Sequence, residues 1–169
     1  MRQNYAALLA VLVVASSCTS GSDGSVTQQG GPNVAAVRQS IEAGNAALIA
    51  ALQKGDSLGA AALYDDSAMV LPSEMPAVSG RDAIRSFWAG MGGMFSVSNM
   101  SLTVGDVVAS GDLASETGRF EMTLTPKAKG AKPIVDKGKY LVVWKKQADG
   151  SYKLFRDMWN TDAAPAPAK

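Results

Sequence analysis

The sequence predicts an α+β domain in which helices pack on one face of a curved antiparallel sheet. The first half of the domain carries apolar residues at helical spacing, and the second half alternates apolar with polar residues. The first pattern is typical of amphipathic helices and the second of half-buried strands. Because the helices come first and a meander of strands follows, we expect two layers with a cavity between them.

Two helices are predicted at the start of the domain. Apolar residues recur at helical spacing from Val34 to Leu52, and Gly55 suits the end of that helix. One polar residue, Asn45, lies in this apolar stripe. Asp56 is a candidate N-cap for a second, shorter helix that closes near Tyr64.

A short strand and a third helix follow. The apolar run Ala68 to Leu71 stops at Pro72, as a strand does where it enters a loop. Ser79 and Asp82 have the spacing of a capping box, which predicts a helix start. The buried face of this helix is expected to consist of Ile84, Phe87, Trp88 and Met91. The glycines expected to end the helix are Gly90, Gly92 and Gly93.

The rest of the domain is predicted to be a meander of strands. Alternating segments at 100–104 and 118–124 indicate half-buried strands joined through the turn Ser110-Gly111-Asp112. The run Tyr140 to Trp144 is apolar on both faces, as in a central strand. Asp149-Gly150 is a hairpin signal before a last strand at 152–160.

Several stretches resemble the SnoaL-like members of the nuclear transport factor 2 superfamily. They are residues 64–72 (YDDSAMVLP), 80–84 (GRDAI) and 138–154, and the ending at 156–160 (RDMWN) fits the same branch. The resemblance implies a cone-like, strongly curved, cystatin-like sheet wrapped around the N-terminal helices. It also implies an apolar pocket at the open end of the cone and frequent dimers through the outer face of the sheet.

The resemblance does not assign a reaction. Relatives in this superfamily include isomerases, dehydratases, hydrolases and cyclases as well as binding and assembly modules. This sequence matches neither the catalytic set of the ketosteroid isomerases nor that of the epoxide hydrolases. Because it contains no histidine, relatives that use a His–Asp pair are excluded as models for it.

The N-terminal segment predicts export and lipid attachment. Arg2 precedes the uncharged apolar run Tyr5 to Ala15, and small residues lead to Cys18, the single cysteine. This order is typical of a signal peptide, and its end resembles a bacterial lipobox. We therefore expect a signal peptide at 1–17 and acylation of Cys18. The expected location is the bacterial cell envelope, with a lipid anchor on the periplasmic side of a membrane. An incidental cysteine behind an ordinary signal peptide is the alternative.

Composition divides the remaining chain into a tether, one domain and a tail. Residues 18–32 are rich in Ser, Gly, Thr and Gln and should form a flexible tether. Residues 33–162 suit one domain, and 163–169 should be a disordered tail. Removal of Arg2 from 16 basic residues leaves 15 against 15 acidic ones, so we expect no nucleic-acid partner.

The chemistry open to the domain is limited by its residue types. Without histidine, and with Cys18 outside the domain, imidazole and thiolate metal sites are excluded. No calcium-loop, phosphate-loop or nucleophile-elbow motif is present. We therefore predict no metal site and no cofactor.

Acid–base catalysis by a buried carboxylate remains open, because burial raises a carboxyl pKa toward neutrality. Asp157 and Glu116 are the candidates, with Tyr64 or Tyr140 as hydrogen-bond donor to a developing oxyanion. The alternative for Glu116 is a strand-end carboxylate in water. The alternative for Asp157 is an ion pair, or a hydrogen bond that holds the helix layer.

A ligand pocket is the leading functional expectation. Its predicted lining is bulky, mostly apolar and rich in aromatic residues: Tyr64, Met69, Trp88, Met91, Phe95, Phe120, Tyr140, Trp144, Trp159 and Asn160. We expect a membrane-tethered module that binds a small hydrophobic molecule. An isomerase or dehydratase that needs no cofactor is the second reading. The third is a dimerisation or assembly module whose contact is the sheet face.

Overall fold

A computed structural model describes residues 31–163, which form three helices and one six-stranded sheet. The predictions for the signal peptide, for Cys18 and for nearly all of the tether and tail lie outside these residues. Of the helices within 31–163, none combines the length and the apolarity needed to cross a bilayer.

The first two helices begin and end where local signals predict. Helix α1 covers Val34–Lys54 and ends at Gly55, whose φ of 67° is left-handed and whose N–H bonds to the carbonyls of Ala51 and Leu52. Helix α2 covers Ser57–Ala62, and the side chain of Asp56 accepts the N–H of Gly59.

The start of helix α3 differs from the sequence prediction. The helix covers Arg81–Met94, and its N-cap is Gly80, with no side-chain hydrogen bond. The predicted capping box is therefore wrong. Ser79 instead lies in the two-residue strand β2 (Val78–Ser79), where it pairs with Met69.

The predicted end of α3 is also wrong, because the helix continues through its glycines to Met94. Each glycine costs a helix about 1 kcal/mol relative to alanine. The helix packs Ile84, which is fully buried, and the half-buried Phe87 and Trp88 against the core. Burial of three large side chains contributes more than these glycines cost.

The sheet has the order β2-β1-β6-β5-β4-β3. Besides β2, its strands are β1 (Tyr64–Leu71), β3 (Phe95–Ser110), β4 (Leu113–Pro126), β5 (Ile134–Lys146) and β6 (Tyr152–Thr161). Strand β5 is central, as its two apolar faces predict. All neighbours are antiparallel except β1 and β6, which run parallel. No hairpin joins these two strands, so nothing local imposes the antiparallel direction.

The curved sheet wraps its concave face around α1. Breaks in register bend the long strands, two in the β3–β4 pair and one between β5 and β6. Helix α1 approaches closely at Gly44, where an added Cβ would lie 2.9 Å from the Trp144 ring. The core between α1 and the sheet includes the fully buried Ile41 and the almost completely buried Trp144 and Leu154. The predicted α+β cone is confirmed.

Candidate functional site

A cavity of about 110 Å³ lies between helices α1 and α3 and the concave face of the sheet. Most of its wall is apolar. Four of its lining side chains are aromatic: Trp88, Phe120, Tyr140 and Trp159. Three are methionines: Met91, Met100 and Met122. A dry cavity of about 150 Å³ holds benzene, so this one has room for about four or five heavy atoms.

Strand register brings two carboxylates to the same face of the sheet. Glu116 on β4 lies opposite Val142 on β5, and Val142 lies opposite Asp157 on β6. Since neighbouring strands are about 4.8 Å apart, the two backbone positions are separated by about 10 Å. Both side chains are buried, with relative exposures of 0% for Glu116 and 6% for Asp157.

Glu116 is enclosed by three hydrogen-bond donors. Its Oε1 accepts from Asn45 Nδ2 at 2.7 Å and from the Tyr140 hydroxyl at 2.6 Å, and its Oε2 accepts from Trp144 Nε1 at 2.9 Å. The water-exposed alternative does not apply to this residue. None of its three partners is charged, so the negative charge is balanced by hydrogen bonds alone. Glu116 does not itself line the cavity.

Asp157 lines the cavity and has a single side-chain donor among the described residues. The Tyr64 hydroxyl donates to its Oδ2 at 2.6 Å. The pKa of Asp157 is raised to about 6. Burial is the largest cause, the Tyr64 hydrogen bond opposes it, and the charge of Glu116 adds to it. Its other oxygen, Oδ1, accepts no hydrogen bond within residues 31–163. Asp157 is thus buried, incompletely bonded and next to the cavity.

The tyrosine hydroxyls are committed to these carboxylates. Each phenol has one hydrogen, which Tyr64 donates to Asp157 and Tyr140 donates to Glu116. Burial is the largest cause that raises the pKa of both phenols, and each carboxylate partner adds to the effect. Neither tyrosine therefore has a free hydrogen for a developing oxyanion.

An aromatic cluster closes one side of the cavity. The Trp88 and Trp159 rings stack with centroids 6.0 Å apart, and Phe87 meets Trp88 edge-on at 4.9 Å. The indole N–H of Trp88 lowers the pKa of the Tyr64 phenol. The indole Nε1 of Trp88 is nevertheless buried with no acceptor in hydrogen-bond geometry in the described part of the chain.

The structure divides the sequence-predicted site residues into three groups. Those that line the cavity are Trp88, Met91, Phe120, Tyr140, Asp157 and Trp159. Those that lie behind its wall and hold it through hydrogen bonds are Tyr64, Glu116 and Trp144. Those that lie away from it are Met69, Phe95 and Asn160.

Strand parity explains two of the misplaced residues. Met69 alternates with the buried Ala68 and Val70, and it therefore faces the outer side of β1. Asn160 follows Trp159 and is exposed on the outer face. Phe95 lies at the junction of α3 and β3, outside the cavity wall.

Two polar residues of the cavity wall were not proposed as site residues from the sequence. Asn45 on helix α1 donates a hydrogen bond to Glu116. In the sequence it stands out as the one amide side chain in an otherwise apolar helical stripe. Asp136 at the start of β5 lines the cavity and accepts the Thr161 hydroxyl at 2.8 Å. Within residues 31–163, no three His, Cys, Asp or Glu side chains are grouped closely enough to hold a metal ion.

The curved, unclosed sheet around its helices is the architecture of nuclear transport factor 2-like, or cystatin-like, proteins. Residues 46–154 match the SnoaL-like domain, which is more than half of the chain. The protein therefore belongs to the SnoaL-like family. No curated protein matches its sequence.

Solved structures of similar fold come from several bacteria. A ketosteroid isomerase-like protein from Erwinia carotovora atroseptica has a TM-score of 0.67 and 24% identity, over 75% of this chain and 96% of that one. A nuclear transport factor 2-like protein from Salmonella enterica serovar Typhimurium has a TM-score of 0.65 and 16% identity, over 80% and 97%. A candidate scytalone dehydratase from Novosphingobium aromaticivorans has a TM-score of 0.67 and 19% identity, over 80% and 91%. At these identities the likeness shows the fold alone.

Proposed function

We propose that this protein binds a small, mainly apolar molecule in the cavity of its SnoaL-like domain. The observation that carries the proposal is an apolar cavity of about 110 Å³ that ends at Asp157. Apolar walls with a few fixed polar groups are typical of ligand sites. An occupant of about five heavy atoms, at roughly 1 kcal/mol each, would bind with a Kd near or below a millimolar.

A cavity-filling variant tests this function. Met122→Trp replaces a methionine of the cavity wall with a bulkier aromatic side chain, so it should abolish the thermal shift produced by small apolar compounds. Met75→Trp is the control, because Met75 is 54% exposed in a loop away from the cavity. Equal ligand responses in the parent and in Met122→Trp, with the cavity shown to be filled, would contradict the proposal.

We further propose that the domain is exported and held at a membrane by acylated Cys18. The support is the apolar run Tyr5 to Ala15 and the small residues before the single cysteine. In a bacterial host, Cys18→Ser should release the protein from the membrane fraction and abolish incorporation of labelled palmitate. Retention of both by the variant would refute the anchor.

A second candidate function is proton abstraction next to a carbonyl group, with Asp157 as the base. One observation favours it: a cavity-lining carboxyl group whose pKa is raised to about 6. Both tyrosine hydrogens are committed to carboxylates, so neither tyrosine can stabilise the oxyanion, and we rank this function below binding. Hydrogen–deuterium exchange at the α-carbon of small ketones tests it. A rate that Asp157→Asn leaves unchanged excludes Asp157 as the base.

A homodimer through the outer sheet face is compatible with either function. Leu141 and Met158 lie opposite each other on β5 and β6 and are 38% and 40% exposed. Such neighbouring apolar side chains favour an interface. Light scattering should show a dimer that Leu141→Glu dissociates, and a monomer at high concentration would exclude it.

A further inference from the structure

The walls of the cavity carry negative charge and no compensating cation. Asp157 and Asp136 both line it, and no Lys or Arg of residues 31–163 does. Asp136 has the Thr161 hydroxyl as a neutral donor, and Asp157 has that of Tyr64. Asp136 is half-buried and stays in contact with water, whereas Asp157 is buried. A neutral apolar guest would leave Asp157 without a counter-charge, and an anionic guest would be repelled.

Acceptors predominate over donors at the polar end of the cavity. Asn45 turns its amide nitrogen, and Tyr140 its only hydrogen, toward Glu116. The acceptors that remain for a guest are the carbonyl oxygen of Asn45, the phenolic lone pairs of Tyr140 and Oδ1 of Asp157. The unpaired donors of the described wall are the second amide hydrogen of Asn45 and the buried indole N–H of Trp88. Glu116 therefore fixes the polarity of the wall although it does not line the cavity. A guest that donates hydrogen bonds matches this end.

The apolar part of the wall suits a cation as well as a hydrocarbon. Trp88, Phe120, Tyr140 and Trp159 supply aromatic rings, whose faces attract organic cations. Three methionines supply polarizable sulfur beside them. Carboxylate, acceptors and aromatic rings thus meet in one small space.

We propose that the guest is a small apolar amine, bound as its ammonium ion with the nitrogen at Asp157 and the hydrocarbon part against the aromatic wall. This rests on the proposed binding function and specifies its ligand class. An ammonium group has three hydrogens, which match the three acceptors of Asp157, Asn45 and Tyr140. The selectivity should follow charge, with the amine preferred over the alcohol and the alcohol over the acid.

Binding of the amine should depend on pH, because the ammonium ion pairs with ionised Asp157. The groups that face Asp157 are Tyr64 from β1, Glu116 from β4 and Tyr140 from β5, while Arg38 of α1 acts on Tyr140. The pKa of Asp157 is raised to about 6. Affinity for the amine should therefore rise as the pH increases through about 6, where affinity for the alcohol stays flat.

A matched ligand series tests the charge preference on the full mature domain. Isobutylamine, isobutanol and isobutyrate have nearly the same shape, and calorimetry at pH 7.5 gives each Kd. We expect the amine to bind about tenfold more tightly than the alcohol, and the acid to bind most weakly. Asp157→Asn should reduce this preference to about twofold. The control Asp162→Asn, at a carboxylate paired with Lys139 and Arg119 on the surface, should leave it unchanged.

The outcomes separate this inference from the function on which it rests. If isobutanol binds as well as isobutylamine, or Asp157→Asn preserves the amine preference, the inference is overturned and the binding function stands. If none of the three compounds binds, and Met122→Trp gives the same thermal shifts with small apolar compounds as the parent, both proposals fail. Thermal melts confirm that each variant is folded before its affinities are compared.

Discussion

Glu116→Gln is the most informative single change, because it alters one atom in the most enclosed polar group of the domain. Oε1 of the new amide can still accept from Asn45 and Tyr140. Its nitrogen then faces Trp144 Nε1, and two donors meet where no water reaches. Turning the amide over would place its nitrogen against two donors, which is worse.

The size of the effect follows from these contacts. Hydrogen bonds to a charged group contribute about 1.5–3 kcal/mol each, so three of them offset the several kcal/mol needed to bury the carboxylate. The amide is cheaper to bury, but it weakens two bonds and leaves two donors unsatisfied at about 1–3 kcal/mol each. We expect a net loss of about 2–3 kcal/mol of unfolding free energy.

Urea denaturation, followed by tryptophan fluorescence and circular dichroism, measures this loss. A change of about 2–3 kcal/mol lowers the midpoint by about 1–2 M urea for a domain of this size. Glu121→Gln is the control on the same strand, because Glu121 is exposed. It should change stability by less than about 0.5 kcal/mol.

A double-mutant cycle identifies the contact responsible. Trp144→Phe removes the donor that faces Oε2 of Glu116. It should cost less in the Glu116→Gln protein than in the parent, with a coupling of about 1 kcal/mol or more. Glu116→Gln as stable as its control, or a coupling of zero, would refute the account of Glu116 as a carboxylate held by three donors.

Three further predictions concern the cavity wall and its support. Asp157→Asn should remove a pH dependence of stability, because native Asp157 holds a proton up to about pH 6 and the unfolded chain releases it near pH 4. Between pH 4 and 7 the unfolding free energy of the parent should therefore fall by about 3 kcal/mol relative to that of the variant. Parallel curves of stability against pH would contradict this. Gly118→Ala places a Cβ against the Tyr140 ring and should lower the unfolding free energy, measured by urea denaturation, by several kcal/mol. In the control Gly92→Ala the added Cβ meets nothing, so stability should be unchanged or rise by up to about 1 kcal/mol. Equal effects of the two changes would exclude the close approach at Gly118. Tyr64→Phe removes the hydrogen bond that lowers the pKa of Asp157, so the carboxyl carbon of Asp157 should titrate above pH 6 by NMR. An unchanged titration midpoint would show that this hydrogen bond does not set the pKa of Asp157.

The elements could be predicted from the sequence where the signal is local. Gly55 and Asp56 set helix boundaries through their own backbone and side-chain geometry, and both were found as expected. The failures at Ser79 and at the glycines of α3 have one cause, since tertiary contacts decided both. Ser79 pairs with β1, and burial of the face containing Trp88 keeps α3 helical to Met94.

The site could be predicted only in part, for the same physical reason. Alternation along β4 predicts that Glu116 shares a face with Phe120, and both are buried. The bond from Tyr64 to Asp157 joins residues 93 positions apart on parallel strands. No local pattern encodes such a pairing, and the same holds for Asn45 and Glu116.

Glu116 and Asp157 differ in their use because of how many donors each one has. Glu116 has three donors and no opening to the cavity, so its contribution is to hold Asn45 and Tyr140 in fixed orientations. Asp157 has one donor among the described residues and lies in the cavity wall, which leaves one oxygen for a guest. Burial without enough donors raises its pKa and makes its charge the least compensated in the core. On either proposal, binding of an amine or abstraction of a proton, we therefore expect Asp157 to contact the guest and Glu116 to support the wall from behind.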